Sequence, residues 1–548
     1  MLHKKVVVIG GVAGGMSFAT RYRRLNQDDQ IIVFEKGPYV SFANCGLPYY
    51  LSGVINSRSR LLVVKEKELV ERFNLDIRSQ SEVISIDPKL KQVTYRFNNE
   101  VSFESYDELV ISTGAKPIKL DIKGLDLIPH FELRNIPDLD YIMEFIKENN
   151  PNHATIIGAG FIGLEVLENL KKKGIDVTLV EKSKEVLPVL DDEMARFARI
   201  ELEKHGVPIF TDDEVIKIED NQVYLKSNHD FKTDFIVTSV GVLPDTSLAR
   251  DAGINLGLKG GILVDHNYQT SIPHIYAVGD AIVVKQQINQ KDTLISLASP
   301  ANRQGRQLAD ILSGLKVSNQ GSIGTSIIQL FDLSIGSTGL NEKMAKDFNY
   351  GVMHLLSNNH ASYYPNATPI NLKVIFNKDD EMILGAQAIG VDGIDKRIDV
   401  LATAIKAKLK VSDLQELELS YAPPYSSAKD IINLAGYVAS NILNKVTRQV
   451  HHDEVEALLE EGAVFVDVRN LMERLSYGFI KDSIHIDINQ LSKQYELIPK
   501  DKKIITYCQS GTRSYNAEMF LRSKGYDVYN LDGGYDIYGL QNKENRIV

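Results

Sequence analysis

One pattern occurs twice in this chain and narrows its fold more than any other feature. It is an apolar strand, a glycine turn, a helix, and a second strand that ends in a carboxylate. Residues 6–9 read as a buried parallel strand, 10–15 as the turn, 16–24 as the helix, and 31–34 as the second strand, ending at Glu35. Residues 154–157, 158–163, 164–173 and 176–180, ending at Glu181, repeat the order. Two such units imply an α/β fold with two Rossmann-like domains, each holding a dinucleotide.

The second unit carries the full G-x-G-x-x-G spacing at Gly158, Gly160 and Gly163. The first glycine permits a tight turn, the second lets a pyrophosphate approach the backbone, and the third lets helix and strand pack closely. Phe161 and Ile162 complete the turn, and the helix N-terminus after it supplies free N–H groups for the phosphates. A carboxylate at Glu181 suits the ribose hydroxyls of NAD and repels a 2′-phosphate. Lys182 beside it weakens that repulsion, so NADH is expected first, with NADPH tolerated. The first unit reads Gly10-Gly11-Val12-Ala13-Gly14-Gly15. Val12 stands where the second glycine belongs, and Gly11 and Gly14 are expected to compensate by loosening the backbone. Residues 109–117 run a strand into Thr113-Gly114, and residues 235–244 repeat that form through Gly241. Residues 270–280 end in Gly279-Asp280; helix capping is the plain reading of this aspartate.

The 548 residues suffice for about three to four domains. A net charge of −10 argues against nucleic acid as a partner. No apolar run approaches the ~18 residues of a membrane helix, and residues 4–9 are too short and glycine-interrupted for a signal peptide. Two cysteines cannot build a disulfide framework, so a cytoplasmic location is expected.

Both cysteines sit in chemical loops. Cys45 lies in Ser41-Phe42-Ala43-Asn44-Cys45-Gly46-Leu47-Pro48-Tyr49-Tyr50. Cys508 opens Cys508-Gln509-Ser510-Gly511-Thr512-Arg513, after a strand at 504–507 and before a helix. A strand turning into a helix through C-x-x-G-x-R aims successive N–H groups at an anion such as a thiolate or persulfide. Gly511 permits the turn, and Arg513 adds charge or anchors the loop. Upstream, residues 464–469 form a strand with a charged end, followed by Glu473 and Gly478-Phe479-Ile480. Residues 445–452 read as a polar linker.

Residues 1–446 together resemble the pyridine nucleotide–disulfide oxidoreductases of the single-cysteine class, which includes CoA-disulfide reductases, NADH oxidases and NADH peroxidases. Residues 453–548 resemble a rhodanese domain, with Phe479 where that family usually has histidine. The resemblance implies an FAD-binding domain at 1–115 and 235–325, an NAD(P)-binding domain at 116–234, an α+β dimerisation domain at 326–446 and an α/β rhodanese domain at 453–548. It implies a cofactor-binding set of residues 10–15, Glu35, Lys36, Asn44, Val83, Thr113, Gly114, Gly279, Asp280 and Ala298, with Asp280 accepting a bond from the ribityl chain of FAD. Gly241 and Tyr421 join the cofactor set. Ser17, Arg21, Arg24, Ser41, Asn44, Asn302 and Lys429 would line the path of coenzyme A. Asn302 and Phe73 replace an expected histidine and lysine there.

The activity implied is NAD(P)H-dependent reduction of CoA persulfide, polysulfide or CoA disulfide through a mixed disulfide of Cys45 with CoA. A helix N-terminus and a flavin beside Cys45 are expected to favour its thiolate. Cys508 would carry sulfane sulfur. The resemblance also implies a homodimer in which Tyr421 and Tyr425, with Tyr363 or Tyr364, reach the other subunit's active site. Two alternatives stand beside this reading: an oxidase or peroxidase using a Cys45 sulfenate, and a redox-regulated sulfur-delivery protein.

Overall fold

The computed structural model describes residues 3–541 and 546–547. The extreme positions of the expected outer domains, 1–2, 542–545 and 548, lie outside the described residues. The chain divides into two compact units, residues 1–183 with 207–324, and residues 184–206 with 325–548.

In the first unit, Lys5–Ile9, Gln30–Phe34 and Asp76–Arg78 lie side by side, with Glu108–Ile111 and Ile275–Ala277 on the other flank of Lys5–Ile9. All neighbouring pairs are parallel. Val6, Val7 and Val8 are fully buried, as strands covered on both faces require. The chain turns to opposite sides after Lys5–Ile9, which opens a crevice at the carboxyl ends of the strands. A second parallel sheet has the order Ile209–Thr211, Asp176–Glu181, His153–Ile157, Phe235–Thr238, His130–Phe131.

The two glycine turns are shorter than the sequence suggests. Their helices span Ala13–Leu25 and Phe161–Lys172, each beginning three residues early. Gly14, Gly15 and Gly163 therefore lie inside helices, where glycine costs about 1 kcal/mol against alanine. Close approach requires it. A Cβ on Gly15 would fall 1.9 Å from Gly10 O, and one on Gly163 would fall 2.1 Å from Gly158 O.

In the second unit, five antiparallel strands run Ser326–Leu330, Leu333–Gly339, Ile383–Gly390, Pro369–Asn377, Tyr350–Asn358. The helices Ile394–Ala407 and Ile431–Leu443 pack on this region, tied by a buried Arg397–Asp430 pair at 2.7 Å. A parallel sheet follows in the order Gln449–Val450, Asp527–Leu531, Lys503–Tyr507, Val464–Asp467, Ile484–His485. The stretch 445–452 is thus more than a linker. Gln449–Val450 pairs with Asn530 and Leu531 as an edge strand. Among the described residues no helix is long and apolar enough to cross a membrane.

Candidate functional site

The two glycine turns share a geometry. Gly10 and Gly158 both have φ of 103°, a left-handed conformation that favours glycine. Glu35 accepts from the N–H groups of Gly11 and Gly37 at 2.9 and 2.8 Å. Burial pushes its carboxyl up, and those two N–H groups oppose the shift. Glu181 accepts from Ala159 and Ser183 N–H at 2.6 and 2.7 Å. Each carboxylate thus lies at the end of its second strand, bonded beside the turn. Lys182 is tied to Glu214 at 3.1 Å and Lys36 to Asp245 at 3.4 Å.

A Cβ on Gly160 would meet nothing within 4 Å, which leaves open space where a pyrophosphate approaches backbone. Phe161 and Ile162 begin the helix beside it, and Ile162 is exposed. Val12 caps the first helix in the place of Gly160, with φ −107°. Gly11 and Gly14 do not loosen the backbone around it. Their Cβ atoms would collide with Val40 at 2.6 Å and Ser112 Oγ at 2.9 Å, so they serve close packing. Ala13 is the first residue of that helix.

The remaining cofactor candidates follow strands of the two parallel sheets or pack near them. Thr113 Oγ1 donates to Asp245 O at 2.6 Å, and Gly114 has φ 72°. Gly241 has φ 103°, and its O accepts from Ile118 N–H at 3.1 Å. Val83 is buried in the core beside a ladder irregularity. Gly279 N–H donates to Gln304 Oε1 at 2.7 Å, and Ala298 begins the helix Ala298–Leu312. Asp280 sits in the 3-10 turn Gly279–Ala281. It does not cap a helix, since the next helix starts at Ala298 after Leu297. Burial pushes its carboxyl up, with Arg134 opposing from 4.0 Å. Among the described residues it accepts no hydrogen bond, which suits a hydroxyl donor from a bound flavin chain. These residues fit an adenine dinucleotide at each turn.

Cys45 is exposed in the 3-10 turn Asn44–Gly46, which runs into the short helix Leu47–Leu51. Asn44 is exposed beside it. The expected bias toward thiolate is absent from the protein's own charges. Burial pushes the Cys45 thiol up, and the carboxylates of Glu165 and Asp280 add to the shift. A five-residue helix brings too few aligned peptides to offset two carboxylates. Glu165 was not singled out by the sequence. It lies on Phe161–Lys172 and faces Tyr49, whose hydroxyl is 3.3 Å from its Oε1. Burial pushes Glu165 up to about 7, with the Tyr49 bond opposing and Glu168 adding. The only signal was polar residues at 165, 168 and 169 in an otherwise apolar stretch, at helical spacing.

Several coenzyme A candidates are already engaged. Ser17 donates to Asn302 Oδ1 at 2.5 Å, and Asn302 donates to Ala298 O at 2.8 Å. Arg21 is paired with Asp310 at 2.6 Å, so its charge is largely spent. The Arg24 guanidinium lies 5.0 Å from the centre of the Phe73 ring. Ser41 has φ 49° and donates its N–H to Gly11 O. In the second unit, Lys429 is exposed. Tyr363 and Tyr421 meet hydroxyl to hydroxyl at 3.0 Å, and Tyr425 is 72% exposed. Tyr364 instead lies edge-on to His360.

Cys508 ends the strand Lys503–Tyr507, is fully buried, and precedes the helix Thr512–Ser523. Its Sγ accepts from Gly511 N–H at 3.1 Å and Ser514 Oγ at 3.5 Å. Gly511 has φ 97°. Arg513 grips Glu473 through two bonds of 2.7 and 2.6 Å. That pair raises the Arg513 guanidinium, and Cys508 adds to the effect. Phe479 carries the Arg474 guanidinium 3.7 Å from its ring centre.

Residues 4–305 match the family described as pyridine nucleotide-disulphide oxidoreductase, residues 325–430 its dimerisation domain, and residues 451–539 the rhodanese-like domain. The chain is 37% identical over 442 residues to a coenzyme A disulfide reductase of Staphylococcus haemolyticus, covering 80% of this chain and 100% of that one. A crystal structure of reduced Bacillus anthracis CoADR-RHD is 48% identical, with a TM-score of 0.98 and full coverage of both chains. An NAD-dependent persulfide reductase from A. fulgidus is 35% identical, with a TM-score of 0.92 over 97% of this chain and 99% of that one.

Proposed function

Because the chain belongs to the pyridine nucleotide-disulphide oxidoreductase family, as an FAD-dependent enzyme of the coenzyme A disulfide reductase type with a rhodanese-like domain, we propose that it reduces CoA-linked sulfur through a Cys45–CoA mixed disulfide. The substrate is CoA persulfide, polysulfide or CoA disulfide, and the reductant is NADH in preference to NADPH. In this reading the FAD-binding domain is 1–115 with 235–325, the NAD(P)-binding domain 116–234, the dimerisation domain 326–446 and the rhodanese domain 453–548.

Bound FAD would supply two-electron exchange between nicotinamide and sulfur. The chain supplies the rest. Glu35 and Asp280 hold the ribose and the ribityl chain, and Glu181 holds the ribose of the nicotinamide dinucleotide. Two electrons reaching the Cys45–S–S–CoA bond break it into a Cys45 thiolate and a CoA thiolate, which leaves with a proton. The Cys45 thiolate attacks the carbon-bound sulfur of CoA–S–SH, restores Cys45–S–S–CoA and releases HS⁻. With CoA disulfide the leaving group is CoA thiolate. Tyr363, Tyr421 and Tyr425, reaching across a homodimer, stabilise that leaving group by donating hydrogen bonds. Arg24, Ser41, Asn44 and Lys429 guide CoA, and Cys508 carries sulfane sulfur beside the Gly511 N–H and the Ser514 hydroxyl.

The observation that carries this reading is the exposed thiol at Cys45, the only cysteine in the first 507 residues, at the rim of a dinucleotide crevice. A second thiol for an internal disulfide is absent from that region, which favours a sulfur partner brought by the substrate. Cys45→Ser is expected to keep its FAD and lose CoA-persulfide and CoA-disulfide turnover by about a hundredfold or more. Turnover at the parent rate overturns the proposal.

A further inference from the structure

A buried charge cluster in the second unit takes no part in the chemistry above. His354, on the strand Tyr350–Asn358, has a carboxylate on each ring nitrogen. Nδ1 lies 2.7 Å from Asp532 Oδ2, and Nε2 lies 3.2 Å from Glu193 Oε1. The His354 backbone N–H also donates to Asp532 Oδ1 at 3.0 Å. A neutral imidazole offers one donor and one acceptor, so only imidazolium satisfies both carboxylates.

Beside apolar neighbours such as Met194 and Ile537, several groups around this histidine bring charge or a titratable ring. Lys373, fully buried on Pro369–Asn377, bonds Glu193, Asp191 at 2.8 Å and Glu342 at 2.5 Å. His451 Nδ1 lies 3.3 Å from Asp532 Oδ2, and Gln449 Nε2 donates to Asp532 Oδ1 at 3.2 Å. The His452 ring stands edge-on to His354 at 6.4 Å. Asp453 and Glu454 act on His452 and His451. Asp532 and His451 fall in the span that matches the rhodanese-like domain, whereas His354, Lys373 and Glu342 fall in the dimerisation span.

The cluster also reaches the sulfur loop. Asp532 is followed by Gly533-Gly534, both with positive φ. A Cβ on Gly533 would lie 3.0 Å from His354 Cβ, and one on Gly534 would lie 2.6 Å from Cys508 O. Tyr535 N–H donates to Cys508 O at 2.8 Å, and Asp536 N–H to Gln509 O at 3.0 Å. Asp532 and the backing of the Cys508 loop are therefore three residues apart on one continuous segment.

We propose that the His354–Asp532 pair is a latch that fixes the rhodanese-like domain to the dimerisation domain, braces the Cys508 loop through Gly533 and Gly534, and holds only while His354 carries its proton. His354 is a positioning residue and touches no substrate. Burial alone would lower its affinity for the proton, but Asp532 and Glu193 outweigh burial and push it up to about 9. Burial would raise Asp532, and His354 and His451 hold it below the usual carboxylate range instead. The sign follows. A histidine raised in the folded state stabilises fully below its ordinary value near 6.5, and that contribution fades as pH rises through about 9. Loss of the proton leaves a ring lone pair against a buried carboxylate.

Hydrogen exchange of the FAD-loaded full-length protein, corrected for the intrinsic pH dependence, tests the latch. Between pH 7.5 and 10, protection of residues 449–455 and 505–513 should fall about tenfold or more, while residues 5–34 keep theirs. His354→Gln should lower protection of the same segments at pH 7.5 and remove the further fall. Protection that is unchanged at pH 10 overturns the proposal, as does a wild-type pH response in His354→Gln. Should that variant not fold, the wild-type pH series decides alone. No readout depends on CoA chemistry, so failure of the latch and failure of the proposed reaction remain distinguishable.

Discussion

At Cys45 the protein's own charges oppose the thiolate that the proposed chemistry needs. Burial comes first, then Glu165 and Asp280. In the proposed cycle the thiolate is generated by reductive cleavage of the mixed disulfide, so no resting thiolate is required. Glu165, held near 7, makes the balance depend on pH. Above that value it is anionic and disfavours a second negative charge nearby. Glu165→Gln should shift the midpoint of Cys45 alkylation against pH downward by about 0.5–1 unit. Iodoacetamide rates on the reduced full-length chain measure it, and an upward shift contradicts the electrostatic account. Sequence singled out Cys45, Cys508, Arg513, Glu35 and Glu181, because each stands in a short local motif. It missed Glu165, since a carboxylate inside an amphipathic helix looks like any solvated position until the packing partner is known.

At the scale of elements, two glycines of the second turn differ in one informative way. Gly163 is forced by packing, with a Cβ 2.1 Å from Gly158 O and 2.5 Å from Ser239 Oγ. Gly160 faces open space. Gly163→Ala should push the helix Phe161–Lys172 off its strand and lower stability by about 1–3 kcal/mol. Gly160→Ala should leave thermal stability and FAD content unchanged, yet raise KM for NADH by about tenfold or more by crowding the pyrophosphate. Melting curves beside steady-state kinetics separate the two, and equal melting losses for both would refute the distinction. The helices' true starts at Ala13 and Phe161 were hidden from the sequence because glycines normally punctuate a turn. Here tertiary approach keeps them inside helices. The edge strand Gln449–Val450 was hidden for the opposite reason. Two residues in a polar run acquire strand character only from their neighbour, Asp527–Leu531.

At the scale of the whole molecule, the α/β plan and the order of its modules were legible, since repeated strand–turn–helix units and a six-residue cysteine loop are local signals. The ionic cluster around His354 and Lys373 was not, because its members come from positions 191 to 532 and no spacing rule joins them. The proposed function places two sulfur chemistries in one polypeptide: electron transfer at Cys45 and sulfane carriage at Cys508. In that reading the first runs on a borrowed thiol. The most direct measurement is anaerobic titration of the purified, FAD-loaded protein with NADH while released CoA is counted. The account predicts one CoA freed per Cys45, the same yield from Cys508→Ser, and none from Cys45→Ser. Oxidation of NADH in equal amount with no CoA released would contradict it.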